Sequence, residues 1–184
     1  MKTTKTAFPQ SSILYRIGRP YDYADSYRTT FSDPDNRITT TEVGRAFFSS
    51  APGWVKALFA VRNSIGAGLG LKTGGSPTHK QELPQDFNPE PGQRVGLFKV
   101  FSKTDTELVL GEDDSHLNFR LSLLLTNGLT KENDKHLILT TVVEFHNKLG
   151  RLYFLPVKPL HKLIVPAMLT SMATQLEQPR VIQL

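Results

Sequence analysis

The sequence predicts an α+β fold, an antiparallel sheet with helices on one face and a long helix at the C-terminal end. Three observations carry this reading. Apolar residues alternate with period two in several runs between Val95 and His146. After Gly150 the apolar spacing changes to three and four. Clusters of Gly, Pro, Asn and Asp punctuate the runs, so the strands follow one another through turns rather than through crossover helices.

Taken in order, Tyr21 to Phe31 reads as the first strand, with Tyr21, Tyr23, Tyr27 and Phe31 on one parity. The SDPDN cluster from Ser32 to Asn36 turns the chain. Thr39 and Glu42 have the spacing of a capping box and open a short helix whose Val43, Ala46 and Phe47 share a face. Pro52 and Gly53 end it, and Trp54, Leu58, Val61, Arg62 and Ile65 fall at the spacing of a second short helix, with Trp54 expected in the core. Residues 66–94, rich in Gly and Pro, form a long loop.

Val95–Ser102 and Thr106–Gly111 then pair as a hairpin. Leu117, Phe119, Leu121, Leu123 and Leu125 alternate strictly within His116–Thr126, and Leu137, Leu139, Val143 and Phe145 lead the run His136–His146. Asn127-Gly128 begins the turn between them, and pairing Leu125 with Leu137 brings His116 opposite His146. In the last segment Pro159 suits a first helical turn, Leu160, Ile164, Met168 and Met172 form a stripe, and Pro166 kinks the helix. The chain reads as one domain over 1–184, with residues 1–20 as an N-terminal extension.

Composition excludes several classes. With no cysteine there is no disulfide, thiolate nucleophile or Cys-ligated metal, which fits the cytoplasm. The net charge is +5, but the basic residues are scattered, without the basic stripe and interleaved aromatics of a nucleic-acid surface. No apolar run reaches the roughly 20 residues of a membrane span. The string GAGLGLKT (Gly66–Thr73) approaches a phosphate loop but has Leu71 where the last glycine belongs, and it follows a helix rather than a strand. No cofactor and no metal are expected.

Two sets of residues remain as sites. Asp114, His116, Glu144 and His146 gather at one end of the sheet in the pairing above, where two imidazoles and two carboxylates could bind a divalent metal or act as an acid/base pair. They fall on the parity opposite the leucines, which reads as a solvent-facing polar surface. The second set lines the space between sheet and helix: Tyr23, Tyr27, Phe119, Arg120, Leu121, Leu139, Ile164 and Met168. Arg120 either pairs with Glu144 or anchors a ligand.

Several strings together resemble a known bacterial family of domains of unknown function. They are YDYADSY (Tyr21–Tyr27), PGWV (Pro52–Val55) with Leu58, Arg62 and Asn63, GLGL (Gly68–Leu71), GEDDSHL (Gly111–Leu117), HNKLGRLY (His146–Tyr153) and PLH (Pro159–His161). That family is placed in the birch-pollen-allergen, START and polyketide-cyclase superfamily, SRPBCC. The resemblance implies a helix-grip fold, a curved antiparallel sheet wrapped around a long C-terminal helix with two short helices after the first strand. It also implies a cavity that holds a small hydrophobic molecule, with an expected volume on the order of 300–1,000 Å³. The alternatives are a cyclase- or hydrolase-type enzyme using the His116/His146/carboxylate cluster, and a module that docks on a partner protein.

Overall fold

Alternating apolar residues build a seven-stranded antiparallel sheet in the structure, a computed structural model that describes residues 2–55, 87–128 and 133–178. Its strands are β1 (Thr4–Lys5), β2 (Tyr23–Ser32), β3 (Arg94–Val95), β4 (Phe98–Lys103), β5 (Glu107–Asp113), β6 (Leu117–Asn127) and β7 (Asp134–Phe145). They lie side by side in the order β1-β2-β7-β6-β5-β4-β3. The helices are α1 (Ile13–Arg16), α2 (Thr40–Ser49) and α3 (Lys148–Glu177).

The long hairpin has the register that the leucines dictate. Leu125 pairs with Leu137, and the ladder runs on to Leu117 opposite Phe145. The His146 backbone N–H then donates to the His116 carbonyl at 3.0 Å. β2 comes from far back in the sequence to pair with β7, setting Tyr27 opposite Leu139 and Asp25 opposite Thr141. The odd-numbered residues of these strands share a face. Tyr27, Phe31, Leu121, Leu123 and Leu139 pack there in one cluster with Val165, Leu169 and Met172 of α3.

The capping box at α2 forms as read. Glu42 accepts the Thr39 backbone N–H at 3.3 Å and the Thr39 hydroxyl, and Val43, Ala46 and Phe47 are buried. The helix expected at Trp54–Ile65 lies outside the described residues beyond Val55, as does most of the long loop. Trp54 itself is 47% exposed, against the expectation of a core position, whereas its neighbour Val55 is fully buried.

Two expectations about the sheet and helix are corrected. The parity opposite the leucines is not a solvent face. Leu14, Val109 and Val142 form a buried cluster there with half-buried Phe8, Ile13, Tyr21 and Phe101. Leu124, Ile138 and Val142 make the centre of β6 and β7 apolar on both parities, so the outer face also needs cover. Residues of the N-terminal extension supply it, with β1 paired to β2 and α1 lying over the sheet. The buried Glu107 carboxylate holds α1 in place. It accepts from the Ser12 hydroxyl at 2.6 Å, the Ile13 N–H at 2.7 Å and the Ser122 hydroxyl at 2.5 Å.

The C-terminal helix starts at Lys148 and runs 30 residues, so Pro156, Pro159 and Pro166 are all interior. Each proline leaves the carbonyl four residues earlier without its helical donor. Those carbonyls belong to Leu152, Leu155 and Lys162, all exposed, so water can reach that side of the helix. The buried stripe also differs from the one read at strict i, i+4 spacing. Such a stripe drifts about 40° per step around a helix of 3.6 residues per turn. Met168 and Met172 are buried and half-buried Ile164 packs on the core, whereas half-buried Leu160 lies outside that cluster, and Val165, Leu169 and Ala173 complete the buried face.

Asn147 caps the start of α3, its side-chain oxygen accepting from the Gly150 N–H at 3.1 Å. Gly150 touches the turn before β6 so closely that a Cβ would lie 2.1 Å from the His116 carbonyl oxygen. Only glycine allows α3 to leave the sheet at this point.

Candidate functional site

A cavity of about 140 Å³ lies between the inner face of the sheet and α3. Its sheet wall is Leu117, Phe119, Leu121, Leu139 and Val143. The helix contributes Phe154, Val157, Ile164 and Met168, and Phe47 of α2 and Phe98 of β4 close one side. Phe98 stacks edge-on against both Phe47 and Phe119, with centroids 5.1 and 5.9 Å apart. These large side chains make the void smaller than the volume expected from the sequence. It is close to the roughly 150 Å³ of an engineered apolar cavity that stays dry and takes a benzene ring.

Three side chains with polar atoms interrupt this lining, Thr141 of β7 and Tyr153 and His161 of α3. Thr141 is 6% exposed, and its hydroxyl has no hydrogen-bond partner among the described residues. The Nε2 atom of His161 lies 3.1 Å from Oδ1 of the buried Asp25, and the Tyr23 hydroxyl donates to Oδ2 of the same carboxylate at 2.5 Å. Tyr23 packs edge-on against Phe154 and His161, with centroids 4.8 and 6.0 Å away. Burial pushes the Tyr23 phenol far above its usual value, and the adjacent Asp25 carboxylate adds to the shift, so Tyr23 remains a proton donor.

Of the residues read as ligand contacts, Phe119, Leu121, Leu139, Ile164 and Met168 line this cavity. Tyr23 stands behind it against Phe154 and His161, and Tyr27 is buried in the adjoining core. Arg120 is elsewhere, because its even parity puts it on the outer face. There it donates to Asp113 Oδ1 at 2.6 Å and to the carbonyls of Phe119 and Glu112 at 2.9 and 3.2 Å. Its guanidinium sits 3.6 Å from the centre of the Phe101 ring. It pairs neither with Glu144 nor with anything in the cavity.

The four residues read as an acid/base cluster are not brought to one face. His116 and His146 are backbone neighbours, but the His116 ring is buried edge-on against Tyr153 of α3, 5.1 Å between centroids. His146 is exposed, and Glu144 lines an outer-face recess with Arg19, Tyr21 and Asn118. His116 stands just before β6, where the turn from β5 releases it from strand parity. Asp114 lies beside its Nδ1 at 3.4 Å. Burial works to raise the Asp114 carboxyl, but the Ser115 N–H and the adjacent imidazole outweigh it and hold the carboxyl below its usual value. The phosphate-loop-like string Gly66–Thr73 and Arg62 lie outside the described residues.

The pair that sequence reasoning missed is Asp25 with His161. Both stood within strings that carried the family resemblance, YDYADSY and PLH. No periodic signal links residues 136 positions apart.

Among the described residues, no helix is long and apolar enough to cross a membrane. No curated protein matches the chain. A solved structure described as a conserved protein from Geobacillus kaustophilus is similar at 10% identity, over 83% of this chain and 94% of that one, with a TM-score of 0.39. The family model described as "Protein of unknown function (DUF2867)" matches residues 17–168, which include α3 as far as Met168 and every residue of the cavity wall. The chain belongs to this family.

Proposed function

We propose that the chain is a single helix-grip domain of the SRPBCC type, a cytoplasmic protein that binds a small hydrophobic molecule between the sheet and α3. The observation that carries this reading is the apolar void itself. Among the described residues, thirteen of the sixteen side chains around it carry no polar atom. The space is partly open, so water meets its apolar walls until a small apolar molecule displaces it and buries that surface. The volume suits a single ring or a short branched chain, and it is too small for a steroid or a long acyl chain.

Toluene and indole test the reading through thermal unfolding at increasing ligand concentration. A ligand held at about 100 times its Kd adds about 2.7 kcal/mol, so binding raises the unfolding temperature. Met168→Trp fills the void and abolishes the shift. Unfolding temperatures that neither compound moves, in a chain that folds normally, overturn the proposal.

One observation favours the partner-protein reading as a second one. Leu149, Leu152, Leu155 and Leu163 on the outward side of α3 are 36–67% exposed, next to Lys148, Arg151, Lys158 and Lys162. An apolar stripe with a basic edge fits a protein partner that carries an acidic rim. Leu152→Glu with Leu155→Glu removes such binding and leaves the cavity untouched.

A further inference from the structure

We propose that the cavity selects a neutral hydroxyl-bearing ring, a ligand of the phenol class, with His161 Nδ1 accepting the ligand's proton and the Thr141 hydroxyl donating to its oxygen. The proposal rests on the reading of the cavity as a binding site and adds the chemistry of its polar end.

The hydrogen-bond polarity follows from Asp25. An ionised carboxylate only accepts, so the His161 nitrogen at 3.1 Å donates, and in the neutral tautomer that can take a ligand's proton the ring proton sits on Nε2. The other carboxylate oxygen is occupied by the Tyr23 hydroxyl. Tyr23 therefore has no proton to spare for the cavity, and Asp25 has no free oxygen to offer it. What remains on His161 is the lone pair of Nδ1. This is the only polar ring atom not engaged with Asp25, on a side chain that lines the void.

Thr141 supplies the complement. It is the cross-strand partner of Asp25, so the two side chains leave the sheet on the same face as direct neighbours. A buried hydroxyl without a partner is uncommon in a native protein and calls for an explanation. The cavity offers one, because a hydroxyl group on a ligand can give its proton to Nδ1 and take the proton of Thr141.

Other head groups fit less well. A carboxylate has no proton for Nδ1 and no cation to meet, since among the described residues none lines the cavity, and Asp25 stands behind His161. An ammonium group would be stripped of water with both oxygens of the nearest carboxylate already engaged. A bare hydrocarbon leaves Thr141 unsatisfied.

Phenol and toluene are nearly the same size and separate the hydroxyl from the ring. Their affinities are measured by titration calorimetry on the unmodified chain, on Thr141→Val and on Met168→Trp. Water solvates phenol better than toluene, so phenol binding as tightly as toluene already requires polar partners inside the cavity. The expected result is phenol at least as tight as toluene. Thr141→Val, which keeps the side-chain shape, then weakens phenol by about tenfold and leaves toluene unchanged. The His161 ring nitrogen resonances also shift with phenol and not with toluene. If toluene binds and Thr141→Val leaves the phenol-to-toluene ratio unchanged, the hydroxyl assignment is wrong while the cavity reading stands. If neither compound binds and Met168→Trp behaves like the parent, the cavity reading fails and takes this proposal with it.

Discussion

Replacing Glu107 with alanine tests whether one buried carboxylate fastens the N-terminal layer to the outer face of the sheet. Glu107 is 2% exposed and accepts three hydrogen bonds of 2.5–2.7 Å, from Ser12, Ile13 and Ser122. Bonds to a charged acceptor contribute about 1.5–3 kcal/mol each, so the three together are worth roughly 4–9 kcal/mol. The substitution also removes the cost of burying the charge, which is several kcal/mol. The Ser12 hydroxyl keeps its capping contact with the Leu14 N–H at 3.2 Å, so part of α1 survives. A net loss of about 3–4 kcal/mol remains, which for a chain of this size lowers the unfolding temperature by on the order of 10 °C.

The assay is urea unfolding with amide exchange at Ile13 and Leu14. Glu107→Ala lowers the midpoint and speeds exchange at both amides. Glu107→Gln keeps an oxygen for the Ile13 N–H, and the serine hydroxyls can reorient to accept, so it costs about 1–2 kcal/mol. A midpoint for Glu107→Ala within about 0.5 kcal/mol of the parent is the range of an ordinary surface change and refutes the argument. Equal losses for alanine and glutamine would refute the hydrogen-bond account, because packing alone would then explain both.

Acid sensitivity provides a second prediction. Burial works to raise the Asp33 carboxyl, but Lys135 at 2.8 Å and the backbone N–H groups of Ile38 and Arg37 outweigh it and hold it below the usual carboxylate value. The stability this gives is present above about pH 4, the unfolded value, and disappears as pH falls through the lower folded one. Burial and nearby Arg28 push His136 below its usual value, so its contribution is present above about pH 6.5 and declines below that. Denaturation midpoints should therefore drop in two stages on acidification, and His136→Gln should remove the upper one. Leu139→Ala deletes a side chain that is 1% exposed beside the cavity. It should cost about 2–5 kcal/mol and allow a larger ring than indole to bind, read as a new thermal shift. Gly150→Ala drives a Cβ against the His116 carbonyl. A chain that unfolds no more easily than the parent would show that α3 can leave the sheet by another route.

Strand parity, the β6–β7 register and the α2 capping box were all legible in the sequence, because each is set by residues within one strand, one hairpin or one helical turn. Leu117, Phe119, Leu121, Leu123 and Leu125 must share a face whatever else the chain does, and pairing Leu125 with Leu137 aligns every later pair. The cavity contacts Phe119, Leu121, Leu139, Ile164 and Met168 followed from the same periodicities. What the opposite face would meet was not legible. Leu124, Ile138 and Val142 needed cover, but nothing local to them shows that residues of the first twenty would provide it. Strand parity stops at the end of a strand, so the side of His116 was decided by the turn after β5 and by Tyr153 of α3. Strand parity already put Arg120 on the outer face, but its partners there, Asp113 and the Phe101 ring, come from neighbouring strands that only the assembled sheet brings to it. Asp25 and His161 show the same limit most clearly. Their 3.1 Å contact exists because β2 pairs with β7 and α3 crosses above both, so only the assembled sheet and helix could bring a carboxylate and an imidazole 136 residues apart to the edge of one apolar cavity.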